Sequence, residues 1–183
     1  MKRLAILLIL ACWALSAKAA DFPARVVGVS DGDTLTVLVA GNREVKVRLY
    51  GIDAPETAQD FGSRAKQAAS EMSFGQQVTV REVDRDRYGR TVGEVILPDG
   101  RSLGKEMVRA GLAWWFWRYA PDDWELAGLE AEAKAAKRGL WNQAGAVPPW
   151  DWRSGQGVPV TSGVVGNRRS HCTKPRTARA WRR

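Results

Sequence analysis

Thr34-Leu35-Thr36-Val37-Leu38-Val39-Ala40-Gly41-Asn42-Arg43-Glu44-Val45-Lys46-Val47-Arg48-Leu49-Tyr50 holds two runs rich in β-branched residues, joined at Gly41-Asn42. The connection is short enough for an antiparallel hairpin. Val45, Val47 and Leu49 alternate with Lys46, Arg48 and Tyr50, so one face of the second run is apolar and Arg48 points to the other. A stiff element therefore carries an arginine.

Three more strand-like runs lie outward from this hairpin, over residues 24–29, 78–83 and 92–97, the last closed by Pro98-Asp99-Gly100. Helical spacing marks three other stretches. Residues 63–74 place Ala65, Ala68, Ala69 and Met72 on one face, and residues 102–110 do the same with Leu103, Met107 and Val108. The third starts at Pro121-Asp122-Asp123 and ends at Lys137-Arg138-Gly139, acids first and cations with a capping glycine last. Strands and helices do not alternate regularly. The expectation is an α+β domain around a small curled sheet, not a doubly wound one.

The ends of the chain read differently from this middle. Lys2 and Arg3, the apolar run 4–15 and Ala17-Lys18-Ala19 have the order of a secretory signal peptide, too short for a comfortable membrane span. Residues 1–19 are therefore expected to be removed on export to the periplasm or medium. Cleavage before Cys12, giving a lipoprotein, is a looser match. Residues 153–183 carry eight basic groups and no acid, with little periodicity, and read as a disordered tail.

The whole chain of 183 residues has a formal net charge of +8. That surplus lies at the ends. Residues 20–152 hold 17 basic and 20 acidic groups, a net charge of −3, so a general basic surface for polyphosphate is excluded from the domain. Anion binding there must come from a few placed arginines. With the leader gone only Cys172 remains, so no intramolecular disulfide is expected. Cys172 directly follows His171, which is not metal-ligand spacing, and no zinc site is expected.

Asp31-Gly32-Asp33-Thr34 sits between two strand-like runs, and Arg48-Leu49-Tyr50-Gly51-Ile52-Asp53-Ala54-Pro55-Glu56 begins at the end of a third. Carboxylates at strand ends can converge on one hard cation, and no His or Cys beside them favours zinc. Two other readings stand beside this one. Asp-Gly-Asp is also an ordinary acidic turn, and Asp33 is also placed to be a phosphatase nucleophile, although that chemistry ordinarily sits in a larger α/β sheet. Asp84-Arg85-Asp86-Arg87-Tyr88-Gly89-Arg90 is either a solvated charged turn or a loop presenting Arg90 to a phosphate, opposite Arg48.

Four pieces now stand in order: residues 29–34, residues 48–56, Asp86-Arg87-Tyr88-Gly89-Arg90 and Gly111-Leu112-Ala113. Together they resemble the staphylococcal-nuclease-like (thermonuclease) family, over roughly residues 24–141. The resemblance implies a five-stranded OB-fold barrel with three helices, and a Ca²⁺-dependent nuclease acting on DNA and RNA with little sequence preference. It implies Asp33, Asp53 and the main-chain oxygen of Ala54 as calcium ligands, with alanine standing where the family usually has threonine. Glu56 resembles the glutamate that activates or orients the attacking water. Arg48 and Arg90 resemble the two arginines that bind the scissile phosphate. Arg87 and Tyr88 are expected beside the substrate.

The run Trp114-Trp115-Phe116-Trp117-Arg118-Tyr119 adds aromatics. If extended, it sets Trp115, Trp117 and Tyr119 on one side and Trp114, Phe116 and Arg118 on the other. Trp117 and Tyr119 stand where family members have tyrosines and are expected at the nucleotide site, where a stacked base contributes about 1–3 kcal/mol. Trp114 and Phe116 are expected in packing. The expected molecule is a monomer. The rival from another class is a noncatalytic OB-fold domain that binds nucleic acid without cutting it.

Overall fold

The computed structural model describes residues 21–155. The signal-peptide expectation, Cys12, Cys172 and residues 156–183 lie outside them. The described residues fall into two units, one ending at Ala146 and the other beginning at Val147.

In the first unit β1 (Phe22–Val29), β2 (Thr34–Val39), β3 (Arg43–Leu49), β5 (Gln77–Arg85) and β6 (Thr91–Ile96) close into a barrel of order β1-β2-β3-β6-β5. Every neighbouring pair is antiparallel except β3 and β6, which run parallel. The hairpin register is regular from Thr34↔Arg48 to Val39↔Arg43. Its connection, Ala40–Asn42, turns through positive φ at Gly41 and Asn42. Alternation explains the core, since Val26, Leu35, Val37, Val47, Val80 and Val95 are all fully buried. Each such side chain contributes about 1.5–3 kcal/mol by leaving water.

Two short strands missing from the sequence expectation, β4 (Ile52–Asp53) and β7 (Trp114–Trp115), form a separate antiparallel ribbon. Three helices surround the barrel as expected: α1 (Gly62–Ser73), α2 (Leu103–Arg109) and α3 (Trp124–Ala135). Asp123 caps α3 by accepting from the Leu126 N–H at 3.0 Å. At the other end one expectation is corrected. The first residue to turn left-handed after α3 is Lys137, at φ 51°, where the Arg138 N–H reaches back to the Ala133 carbonyl; Gly139 follows at φ 50°. Gly139 instead opens a 3₁₀ turn, Gly139–Asn142.

In the second unit α4 (Pro149–Ser154) starts with proline in its first turn and ends at Gly155, φ 74°. This helix includes Arg153 and Ser154, so ordered structure runs two residues past the expected start of the tail.

The loops after α2 and α3 meet at two glycines. Gly111 sits at φ 68°, and a Cβ there would lie 2.3 Å from the Arg138 carbonyl oxygen, while the Leu140 N–H donates to the Gly111 carbonyl at 2.9 Å. Gly111→Ala therefore combines a backbone clash with left-handed strain. A loss of about 2–4 kcal/mol is expected, measured as a lower urea midpoint with an unchanged slope.

Candidate active site

Asp33 is placed by the turn that enters β2. Its N–H donates to Asp31 Oδ1 at 3.0 Å, and its carbonyl accepts from the Leu49 N–H at 2.8 Å. Asp53 is placed by the β4–β7 ribbon, where it pairs with Trp114. Both acids are buried, at 2% and 0% exposure. The two segments are tied directly, since the Ala54 N–H donates to Asp33 Oδ2 at 2.7 Å. Thr34 Oγ1 donates to Asp33 Oδ1 at 3.1 Å. Helix α1 backs this junction: a Cβ on Gly32 would lie 2.7 Å from the Ala54 Cβ and 2.8 Å from the Ala65 Cβ.

Arg48 joins the acids. Its Nη1 donates to Asp33 Oδ1, and its Nη2 to Asp53 Oδ1 at 2.7 Å. One planar fork thus spans carboxylates from two segments, which a point charge on a flexible stem does not reproduce. Burial, the largest influence, pushes Asp33 up to about 7, against the opposing pull of Arg48 and the Ala54 N–H. Asp31 and Asp53 add to the rise. For Arg48, burial disfavours the charge, but Asp33 and Asp53 outweigh it and hold the guanidinium above its ordinary range.

Arg90 is aimed by its own turn. Asp86 Oδ1 accepts from the N–H groups of Tyr88 and Arg90, at 2.9 and 3.0 Å, and Asp86 Oδ2 accepts from Arg90 Nε at 2.6 Å. Burial pushes the Asp86 carboxyl upward. The hydrogen bonds from Arg90 and Tyr88 outweigh it and hold the group below its usual range. The charged turn and the arginine-presenting loop are one structure. Arg48 pairs with Val92 across the parallel β3–β6 ladder, and Thr91, next to Arg90, faces the core at 1% exposure. Strand alternation puts Arg48 on the outward side of β3, and Arg90 stands in the turn immediately before β6.

The remaining expected residues are also located. Glu56 is half-buried, three residues past Asp53. Arg87 and Arg90 both lie over the Tyr88 ring, at 5.0 and 5.6 Å, and the ring itself is 70% exposed. Trp114 is buried as expected, with its ring 5.4 Å from that of Trp141. The alternation expected beyond it is corrected. The Phe116 carbonyl accepts from the N–H groups of both Tyr119 and Ala120, so the chain turns there. Trp117, Arg118 and Tyr119 are consequently all exposed, the Arg118 guanidinium lies 5.4 Å from the Trp117 ring, and the half-buried Phe116 ring meets Tyr119 at 4.9 Å.

The two carboxylates brought together here are oxygen donors, which suit a hard divalent cation better than zinc. Among the described residues no three His, Cys, Asp or Glu side chains form a ready cluster. The metal-ligand expectation therefore rests on two side chains and the main chain.

With this geometry in place, the family model described as "Staphylococcal nuclease homologue" matches residues 46–143. The chain belongs to that family. It is 46% identical over 134 residues to an "Uncharacterized endonuclease" of Escherichia coli O157:H7, a span covering 73% of this chain and 86% of the relative. It is 44% identical over 144 residues to a "Micrococcal nuclease" of Shigella flexneri, covering 73% and 82%. A Haemophilus influenzae "Uncharacterized endonuclease" is 40% identical over 129 residues, covering 70% and 71%.

Sequence reasoning missed what this family member does with Arg48, namely that it clamps the two acids. It also missed the ribbon that fixes Asp53. Removing the guanidinium leaves two buried carboxylates without their shared donor. Arg48→Met is expected to cost about 3–5 kcal/mol in urea unfolding with chelator present, and Arg48→Lys to recover only a minor part.

Proposed function

We propose that the chain is an exported, Ca²⁺-dependent nuclease that hydrolyses phosphodiester bonds in DNA and RNA with little sequence preference. Nuclease action follows from its place in the family. The metal, the substrate range and the export are the further content of the proposal. The observation that carries it is that Asp33 and Asp53, from separate segments, are both bonded by the one Arg48 guanidinium, with Glu56 three residues beyond Asp53.

Asp33, Asp53 and the Ala54 carbonyl would hold the cation. Bound there, Ca²⁺ supplies positive charge to the phosphate and to the attacking oxygen. The chain's own groups do the rest. Glu56 orients the attacking water and takes its proton. Arg48 commits two of its five N–H donors to the acids, and others remain to meet phosphate oxygens. Arg90, held by Asp86 through Nε, offers its outer nitrogens to the charge that develops as the P–O bond breaks. Tyr88, Trp117 and Tyr119 present exposed rings on which any base can stack, which supports a substrate range set by backbone and ring rather than base identity. Export is supported by the leader-like order of residues 1–19.

Purified protein is expected to digest single-stranded DNA and RNA with Ca²⁺ and to stop with chelator; equal rates in both would remove the metal from the mechanism. Glu56→Ala should lower kcat by about 10²–10⁴. Arg90→Lys keeps the net charge yet should lose most activity, and near-normal turnover would show that a point charge suffices.

A further inference from the structure

Glu56 is fastened by the loop that follows it. Its N–H donates to Gln59 Oε1 at 3.2 Å, and its carbonyl accepts from the Gln59 N–H at 2.8 Å. The Gln59 carbonyl then accepts from the N–H of Gly62, the first residue of α1, at 2.9 Å. A single residue therefore bonds backward to Glu56 and forward to a helix. Gln59 is only 7% exposed although Ala58 and Asp60 on either side are exposed. Glutamine in a turn ordinarily faces water, and drawing its amide out of water costs free energy that its hydrogen bonds must offset. The Gly62 position adds a second restraint: a Cβ there would lie 1.9 Å from the Glu56 carbonyl oxygen, so α1 starts directly against that peptide.

The geometry points to Gln59 as a positioning residue for the hydrolysis. Its effect is exerted through Glu56. By fixing the Glu56 peptide on both sides and linking it to α1, it sets where the Glu56 carboxylate stands relative to the phosphate and keeps it there. This role rests on the reading of Glu56 as the group that orients water. A displacement of about 1 Å in such a group costs up to about 10²-fold in rate.

The test is a double-mutant cycle on the full chain with Ca²⁺ and single-stranded DNA. It compares wild type, Gln59→Met, Glu56→Gln and the double variant, with thermal unfolding of each as the folding control. Methionine keeps the volume and removes both the amide acceptor and the amide donors. Gln59→Met is expected to lower kcat about 10- to 100-fold with KM held within about twofold. In the Glu56→Gln background the same change should cost less than about twofold, because the group being positioned has gone. Equal fractional losses in both backgrounds, or a loss confined to KM, would overturn the positioning role. Wild-type kcat in Glu56→Gln alone is a separate result: it would remove the reading of Glu56 and this inference with it. If Gln59→Met does not fold, Gln59→Asn keeps the amide one methylene shorter and carries the same cycle.

Discussion

Two carboxylates cannot be buried side by side without something between them. Asp33 and Asp53 are almost wholly out of water, and the Arg48 guanidinium lets both remain there. The rest of the site follows from that constraint. The fork must come from a rigid strand, so Arg48 lies on β3, in register with Thr34 directly after Asp33. Asp53 must be brought to the same fork, and the β4–β7 ribbon does so by pairing it with Trp114. The Ala54 N–H then closes the ring of contacts onto Asp33.

The same pairing shapes the chemistry. Arginine and a divalent cation both satisfy carboxylates, and both are drawn to phosphate. Two acids around one guanidinium leave an excess of negative charge that a divalent cation would have to reverse before a phosphodiester could approach, while Arg90 is held in the turn before β6 by a separate carboxylate. The two arginines thus have different anchors. Arg48 is half-buried against acids that would serve the metal, whereas Arg90, also half-buried, is tied through Nε to Asp86.

Much of this was legible in the sequence where physics is local. Alternation in residues 45–50 fixed which way Arg48 faces, and Ala65 and Ala69 marked the buried side of α1. Asp123 announced its helix. The family motifs named the candidate site residues. What stayed hidden is nonlocal or too short to have a period. A two-residue strand such as Ile52–Asp53 shows no alternation. The Arg48–Asp33 bond joins residues fifteen apart. The turn at Phe116 depends on one carbonyl taking two N–H groups, which a row of aromatic letters does not reveal. Gln59 is a single polar letter in a loop, and only its burial and its partners set it apart.

The parallel pairing of β3 with β6 has a consequence for the order in which the molecule becomes competent. A hairpin can zip up as soon as it is made, but parallel neighbours wait for the chain between them, here β4, α1 and β5. A polypeptide halted before Thr91 would own the acids, Arg48 and Glu56 yet lack β6, the strand that follows Arg90 and pairs with β3. Because synthesis proceeds from the amino end, the candidate site residues are delivered piecemeal and are assembled only when the ring has closed.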